Sequence, residues 1–286
     1  FTRDVFAALD TADTAAKAAH LASFPYVNGR LFTARDTDIV PRFSKKARQL
    51  LIDLGTLIWQ EINPDIFGSM FQAIVTPGKR SDLGQHYTSV PNILKTIEPL
   101  FLDELKEEFD AGFSSVGKLE KLLERIGAIK VFDPACGSGG MFVQAEKFLT
   151  AHNEDPTKLA VYGQELNEST WRMAKMNLAI HGIDSSGLGP RWGDTLARDI
   201  HPSLFADFVL ANPPFNIKDW ARSEEDARWR YGVPPVKNAN YAWMQHILSK
   251  LAPHGEGAVV MANGTMASNT GGEGKIREGM LKDDVV

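Results

Sequence analysis

The stretch "VFDPACGSGG", residues 131–140, decides how this chain folds. Val131 and Phe132 lead into Asp133, a Pro-Ala-Cys step follows, and Gly137, Gly139 and Gly140 crowd a turn before an apolar helix start at Met141. Glycine lacks Cβ and tolerates positive φ, so such a turn makes a bare wall at the carboxyl end of a strand, where a ligand can pack closely. A triphosphate loop needs Lys and Ser/Thr after its last glycine, and the dinucleotide pattern needs a glycine three residues after Gly139. Neither is present, which disfavours a bound triphosphate or NAD.

Around this stretch the β-rich runs "AIKVFDPA", "LAVYGQEL", "FADFVLANP" and "GEGAVVMANG" alternate with the helical patterns "ESTWRMAKMNLAIHG" and "NYAWMQHILSKL". That alternation predicts an α/β domain with a mostly parallel sheet. Upstream, "DTADTAAKAAHLA" and "VPNILKTIEPLFLDELKEEF" read as helical, with no strand alternation. The Gly/Ser break in "AGFSSVGK", before the charged helix "LEKLLERIG", divides the chain into a helical N-terminal domain, 1–125, and an α/β catalytic domain, 126–286.

The predicted strand ends carry the chemistry. Asp133 closes the first strand and Glu165 the second, where a carboxylate can accept both hydroxyl protons of a ribose. Asp194, in "RWGDTL", is expected at the end of a third strand, placed to accept from the exocyclic amine of an adenine ring. A fourth strand delivers Asn212, Pro213, Pro214 and Phe215 to the same edge. The two prolines lack N–H and have fixed φ, so the turn is stiff and its carbonyls stay out of the backbone ladders. The side-chain carbonyl of Asn212 and the main-chain carbonyl of Pro213 can each take one hydrogen of a substrate NH₂, and Phe215 can stack on the ring that carries it. With no phosphate-binding lysine, a ribose-gripping glutamate and an adenine-holding aspartate, the pocket suits S-adenosylmethionine, whose methyl is transferred by in-line displacement.

A net charge of -5 and a pI near 5.8 argue against a protein coated in basic surface, while leaving room for a local basic groove. "RFSKKARQ" and "TPGKRSD" are local basic stretches that could touch phosphates, though each reads first as a solvated helix face or loop. The single Cys136 cannot form an internal disulfide and reads as a small buried filler, and no long apolar run suggests a membrane span. Cytoplasmic localisation is expected. The 7 histidines show no metal-ligand spacing, so no metal is expected, and His86 and His181 read as structural. The chain opens on Phe1 and stops at "LKDDVV", which reads as the start of a strand, so a fragment truncated at its C-terminus is expected.

"DPACGSGG" is similar to the cofactor motif, and "NPPF" to the catalytic motif, of the amino-methyltransferases of DNA. From about residue 128 onward, including "YGQELNESTWRMAKMNLAIHGID", "GDTL", "VLANPPF", "GVPP" and "QHILSKLAPHGEGAVVMANG", the chain resembles the modification subunit of type I restriction-modification systems. The resemblance implies a Rossmann-like, S-adenosylmethionine-dependent methyltransferase acting on the N6 amine of a flipped adenine in double-stranded DNA. Ala135 and Ser138 join Asp133, Gly137, Gly139, Glu165 and Asp194 as implied cofactor contacts. "LGQHYTSVPNILKTIEPLF" resembles the family's additional cofactor motif, which adds Gln85, His86, Tyr87 and Thr88. Type I subunits usually carry proline where this chain has Ser89, and "FPYVNGRLF" with "INPDIFGSMFQAIV" is more similar to large fused restriction and methyltransferase polypeptides. The implied partners are double-stranded DNA, a DNA-specificity subunit and a restriction subunit, with no membrane. Cytosine C5 methylation needs a cysteine in the catalytic turn, which is absent. The alternatives are a glutamine N5 methyltransferase acting on protein, which uses a similar turn, and a non-catalytic DNA-binding module that keeps the fold.

Overall fold

The computed structural model describes residues 2–24, 26, 32, 42–58, 93, 95, 98–151 and 160–286. Helices α1 (Thr2–Leu9) and α2 (Lys45–Leu54) come first; a π-helical turn, Glu98–Leu102, runs directly into α3 (Asp103–Gly112), and α4 (Val116–Ala128) follows. Among the described residues every strand lies beyond Ile129. The Ala-rich run near residue 15 forms two 3₁₀ turns, Thr14–Ala16 and Ala19–Leu21, instead of the expected helix. Among its described side chains only Leu21 is buried, and Asp13 takes the Ala15 N–H at 2.9 Å, so little tertiary packing repays helix nucleation. The basic stretch at the start of α2 is an exposed helix face, as read.

The sheet holds four described strands, β1 (Lys130–Asp133), β2 (Ala160–Gly163), β3 (Ala206–Ala211) and β4 (Leu251–Val259), all parallel in the order β2-β1-β3-β4. Helices α5 (Gly140–Ala151), α6 (Glu168–Ile180), α7 (Asn240–Lys250) and α8 (Glu273–Lys282) complete the fold. Side chains alternate across the pleat. Val131 and Leu210 enter one core with Phe142, Leu178, Leu122 and Ile126, so α4 shares its core with the sheet. Phe132, Val209 and Ala211 enter the other core with Ile247. Burial on both faces explains why β1 and β3 read as nearly continuous apolar runs. Each fully buried large side chain, Phe132 among them, contributes about 1.5–3 kcal/mol.

β1 pairs with β2 on one side and β3 on the other. The chain therefore reverses its direction of growth between β1 and β3, and this opens a crevice at the carboxyl ends of those two strands, the place where doubly wound sheets bind ligands.

Three further sequence expectations need correction. "RWGDTL" forms no strand, so Asp194 does not close one, and "FADFVLANP" is the third described strand instead of the fourth. β4 begins at Leu251, directly after α7, and includes Pro253; it lies at the edge of the described sheet, where proline costs least, and its register against β3 shifts between Ala206 and Phe208. "LKDDVV" does not start a strand: α8 runs to Lys282, and Asp284 turns the chain with φ 54°. No described helix is long and apolar enough to cross a membrane.

Candidate functional site

The glycine loop is stitched to the exit of β2. Gln164 N–H donates to the Asp133 carbonyl at 3.1 Å, Cys136 N–H donates to the Gln164 carbonyl at 3.0 Å, and Gly137 N–H donates to Glu165 Oε2 at 3.1 Å. Glu165 Oε1 takes the Asn167 N–H at 2.8 Å, and Asn167 in turn caps α6 by accepting from Thr170 N–H. Both oxygens of Glu165 are thus oriented by backbone, and each keeps lone-pair capacity for a further donor. Burial raises the Glu165 pKa despite these bonds.

Gly137 and Gly139 hold φ of 53° and 79°, so glycine is needed there for conformation. A Cβ on Gly137 would meet nothing within 4 Å, whereas one on Gly139 would touch the Leu178 side chain at 3.6 Å. Gly137 therefore faces open space and Gly139 faces packed core. Ser138 accepts from Asn177 Nδ2 at 2.9 Å through its carbonyl, which pins the loop to α6. Asp133 is 3% exposed; burial pushes its carboxyl from 3.8 up to about 7, with the Ala135 N–H opposing and the Glu165 charge reinforcing the rise.

Asp194 reaches this edge without a strand. Gly193 N–H donates to the Glu165 carbonyl at 2.8 Å, and the buried Gln164 amide holds the loop at three points, the carbonyls of Gly193 and Arg198 and the N–H of Ile200. Thr195 Oγ1 donates to the Pro134 carbonyl at 2.6 Å. Side chains thus replace the ladder that the sequence reading expected. Asp194 Oδ1 accepts from Leu196 and Ala197 N–H, so among the described residues its hydrogen bonds leave Oδ2 for another donor.

β3 delivers the Asn-Pro-Pro-Phe turn to the neighbouring position. The Ala211 carbonyl accepts from Val260 N–H at 2.9 Å, the last ladder bond before the turn. Asn212 is half-buried, Pro213 is buried with no described donor on its carbonyl, and Phe215 is 39% exposed. One apolar cluster underlies the whole edge: Leu196, Trp220, Trp229, Ala239, Ala242 and Trp243, with Ala135, Ile217 and Val233 packed against it. It joins the glycine loop, the Asp194 loop and the segment after Phe215. Gln85, His86, Tyr87 and Thr88 lie outside the described residues.

Two residues of this edge escaped the sequence reading. Arg228 is paired with Asp226 and donates to the Thr195 and Leu196 carbonyls at 3.1 and 2.6 Å, and so braces the Asp194 loop from below. Its Nη1 also reaches His246 Nδ1 at 3.1 Å; burial, then the Arg228 charge, holds His246 down at about 3, a neutral ring able to accept. Asn240 bridges the turn to the loop after β4. Asp226 apart, their partners lie 18 to 33 residues away, so only the clustering of Trp and Asn near 220–240 hinted at a site. Cys136 is buried against Gly163, and burial pushes its thiol well up, consistent with a filler. His181 Nδ1 sits 2.9 Å from the Asn177 carbonyl in a structural contact.

A family model described as N-6 DNA Methylase matches residues 64–286. The chain belongs to the N-6 DNA methylase family. Within it, the chain is 44% identical over 175 residues to the type I restriction enzyme HindI methylase subunit of Haemophilus influenzae, a match that covers 60% of this chain and 39% of that protein. It is 52% identical over 147 residues to DNA methyltransferase A of Bacillus subtilis, covering 51% of this chain and 16% of that one. Among solved structures, the type IIL restriction-modification enzyme MmeI in complex with DNA superposes with a TM-score of 0.66 at 27% identity, covering 93% of this chain and 42% of MmeI. This N-6 DNA methylase chain thus spans less than half the length of each of these relatives. The MmeI match reaches across the helical segment as well as the sheet.

Proposed function

We propose that this chain transfers a methyl group from S-adenosylmethionine to the N6 amine of an adenine flipped out of double-stranded DNA, as part of a cytoplasmic restriction-modification system. The observation that carries the reading is the convergence of the glycine loop, Glu165 and the Asn-Pro-Pro-Phe turn at the β1/β3 switch point of an N-6 DNA methylase chain.

The residues present fit the cofactor. Gly137 opens onto space that any side chain would occupy, and Glu165 offers two pre-oriented carboxylate oxygens to a ribose. Among the described residues Asp194 Oδ2 is left for an amine, and a neighbouring cation would favour the ionised form of the buried Asp133. S-adenosylmethionine supplies the transferable methyl when bound. On the substrate side, Asn212 Oδ1 and the Pro213 carbonyl accept the two amine hydrogens and localise the nitrogen lone pair. Pro214 keeps the turn rigid, and Phe215 stacks on the base, offsetting part of the few kcal/mol that flipping costs. The amine sheds its proton to water after transfer, so no general base is needed.

We propose residues 126–286 as the catalytic domain, because every described strand lies there, with the helical segment 1–125 supplying Gln85, His86, Tyr87 and Thr88 to the cofactor. A DNA-specificity subunit or domain and a restriction subunit are the proposed partners. The test is the fate of labelled methyl offered with unmethylated plasmid and a protein extract. Label in DNA supports the reading, and label confined to protein overturns it in favour of the glutamine-directed alternative.

A further inference from the structure

The Asn212–Phe215 turn is rigid within itself, but its prolines cannot fix how it sits relative to the crevice. The chain leaves it through Asn216, which holds φ of 60°, a conformation rare outside glycine. The Asn216 N–H donates to Asn240 Oδ1 at 2.7 Å, and Asn240 Nδ2 donates to Asn216 Oδ1 at 3.1 Å and to Thr265 Oγ1 at 3.0 Å. Asn240 is 1% exposed and opens α7, the helix that packs under β3 and β4. Two further bonds, Ala239 N–H to the Ile217 carbonyl and Asp219 N–H to the Val236 carbonyl, lace the outgoing chain to the segment before α7. A single buried carboxamide therefore ties the turn, the helix and the loop after β4 together. Only a side chain with both an acceptor and two donors can serve all three contacts.

We propose that Asn240 is a positioning residue that sets the Asn212–Phe215 turn for the target base. The inference rests on the functional reading above and extends it: the alignment of the flipped purine, and not the hold on the cofactor, depends on Asn240. None of the polar atoms that contact Asn240 belongs to the glycine loop, Glu165 or Asp194.

The experiment compares Asn240→Leu, Asn240→Asp, Thr265→Val and Asn216→Gly in the full-length protein with its DNA-recognition partner. It measures kcat on unmethylated plasmid, and the affinity and stoichiometry of S-adenosylmethionine by calorimetry. Leucine keeps the heavy-atom count and the branching at Cγ and removes all three bonds; kcat should fall by about 10- to 100-fold, with cofactor affinity changed by less than about twofold and stoichiometry near one. Aspartate keeps the acceptor for Asn216 N–H and should restore part of kcat. Thr265→Val severs one bond, and Asn216→Gly keeps both the N–H and the left-handed backbone; each should stay within about threefold of wild type. Wild-type kcat in Asn240→Leu overturns the proposal, as does a parallel fall of kcat and cofactor stoichiometry across the series, which marks a merely structural role. A wild-type protein that methylates no DNA removes the functional reading, and this inference with it.

Discussion

Cofactor affinity should strengthen as pH rises from 6 to 8, and Asp133 sets the size of the change. Its carboxyl is 3% exposed, and burial lifts its pKa from 3.8 to about 7, with the Glu165 charge adding to the rise. In the protein alone Asp133 is then about nine-tenths protonated at pH 6 and about one-tenth at pH 8. Binding a cation beside it returns the carboxyl towards its ordinary range and releases the proton. The dissociation constant should therefore fall about tenfold across this interval, about 1.4 kcal/mol. Calorimetry at pH 6, 7 and 8, in two buffers of different ionisation enthalpy, reads both the affinity and the proton released. Asp133→Asn should flatten the profile and release fewer protons. A wild-type affinity constant within twofold over this range, or an unchanged slope in Asp133→Asn, would refute the assignment.

The same group shapes stability in the absence of cofactor. Its folded pKa lies above the unfolded one, so the fold binds the extra proton, and stability present below about pH 4 is lost as pH rises through 7. Asp133→Asn should thus add at most about 4 kcal/mol of stability at pH 8, seen as a higher melting temperature, and should change little at pH 4, as thermal melts at the two pH values will show. Gly137→Ala and Gly139→Ala should each cost about 1–2 kcal/mol because both sites hold positive φ. Only Gly137→Ala should also abolish cofactor binding, since its Cβ enters open space, and equal affinities by calorimetry would contradict this. Arg228→Leu strands the Asp226 carboxylate and two carbonyls and should cost about 3 kcal/mol in urea melts, with Arg228→Lys recovering part of the loss.

The sequence made the site legible wherever chemistry and chain neighbours coincide. "VFDPACGSGG" contains its own strand, its acid and its turn glycines, and "VLANPPF" carries its own stiffness, so both landed at the predicted sheet edge. Asp194 was placed on the right edge for the wrong reason. It was expected at the end of a strand, yet the loop hangs on Gln164, Thr195 and Arg228, contacts spanning up to 61 residues that no local pattern encodes. Arg228 and Asn240 stayed unread for the same cause, since each looks like an ordinary polar residue until folding supplies its partners. The Ala-rich run near residue 15 failed differently: propensity alone suggested a helix, and there was no apolar face to hold one.

The account rests on an amine meeting a methyl donor between the ends of β1 and β3. Incubating unmethylated plasmid with S-adenosylmethionine and the protein, followed by mass-spectrometric nucleoside analysis, tests this directly. N6-methyladenine made by the wild type and lost in Asn212→Ala, with cofactor affinity intact, is the predicted result. Methylcytosine in its place, or undiminished N6-methyladenine from Asn212→Ala, would contradict it.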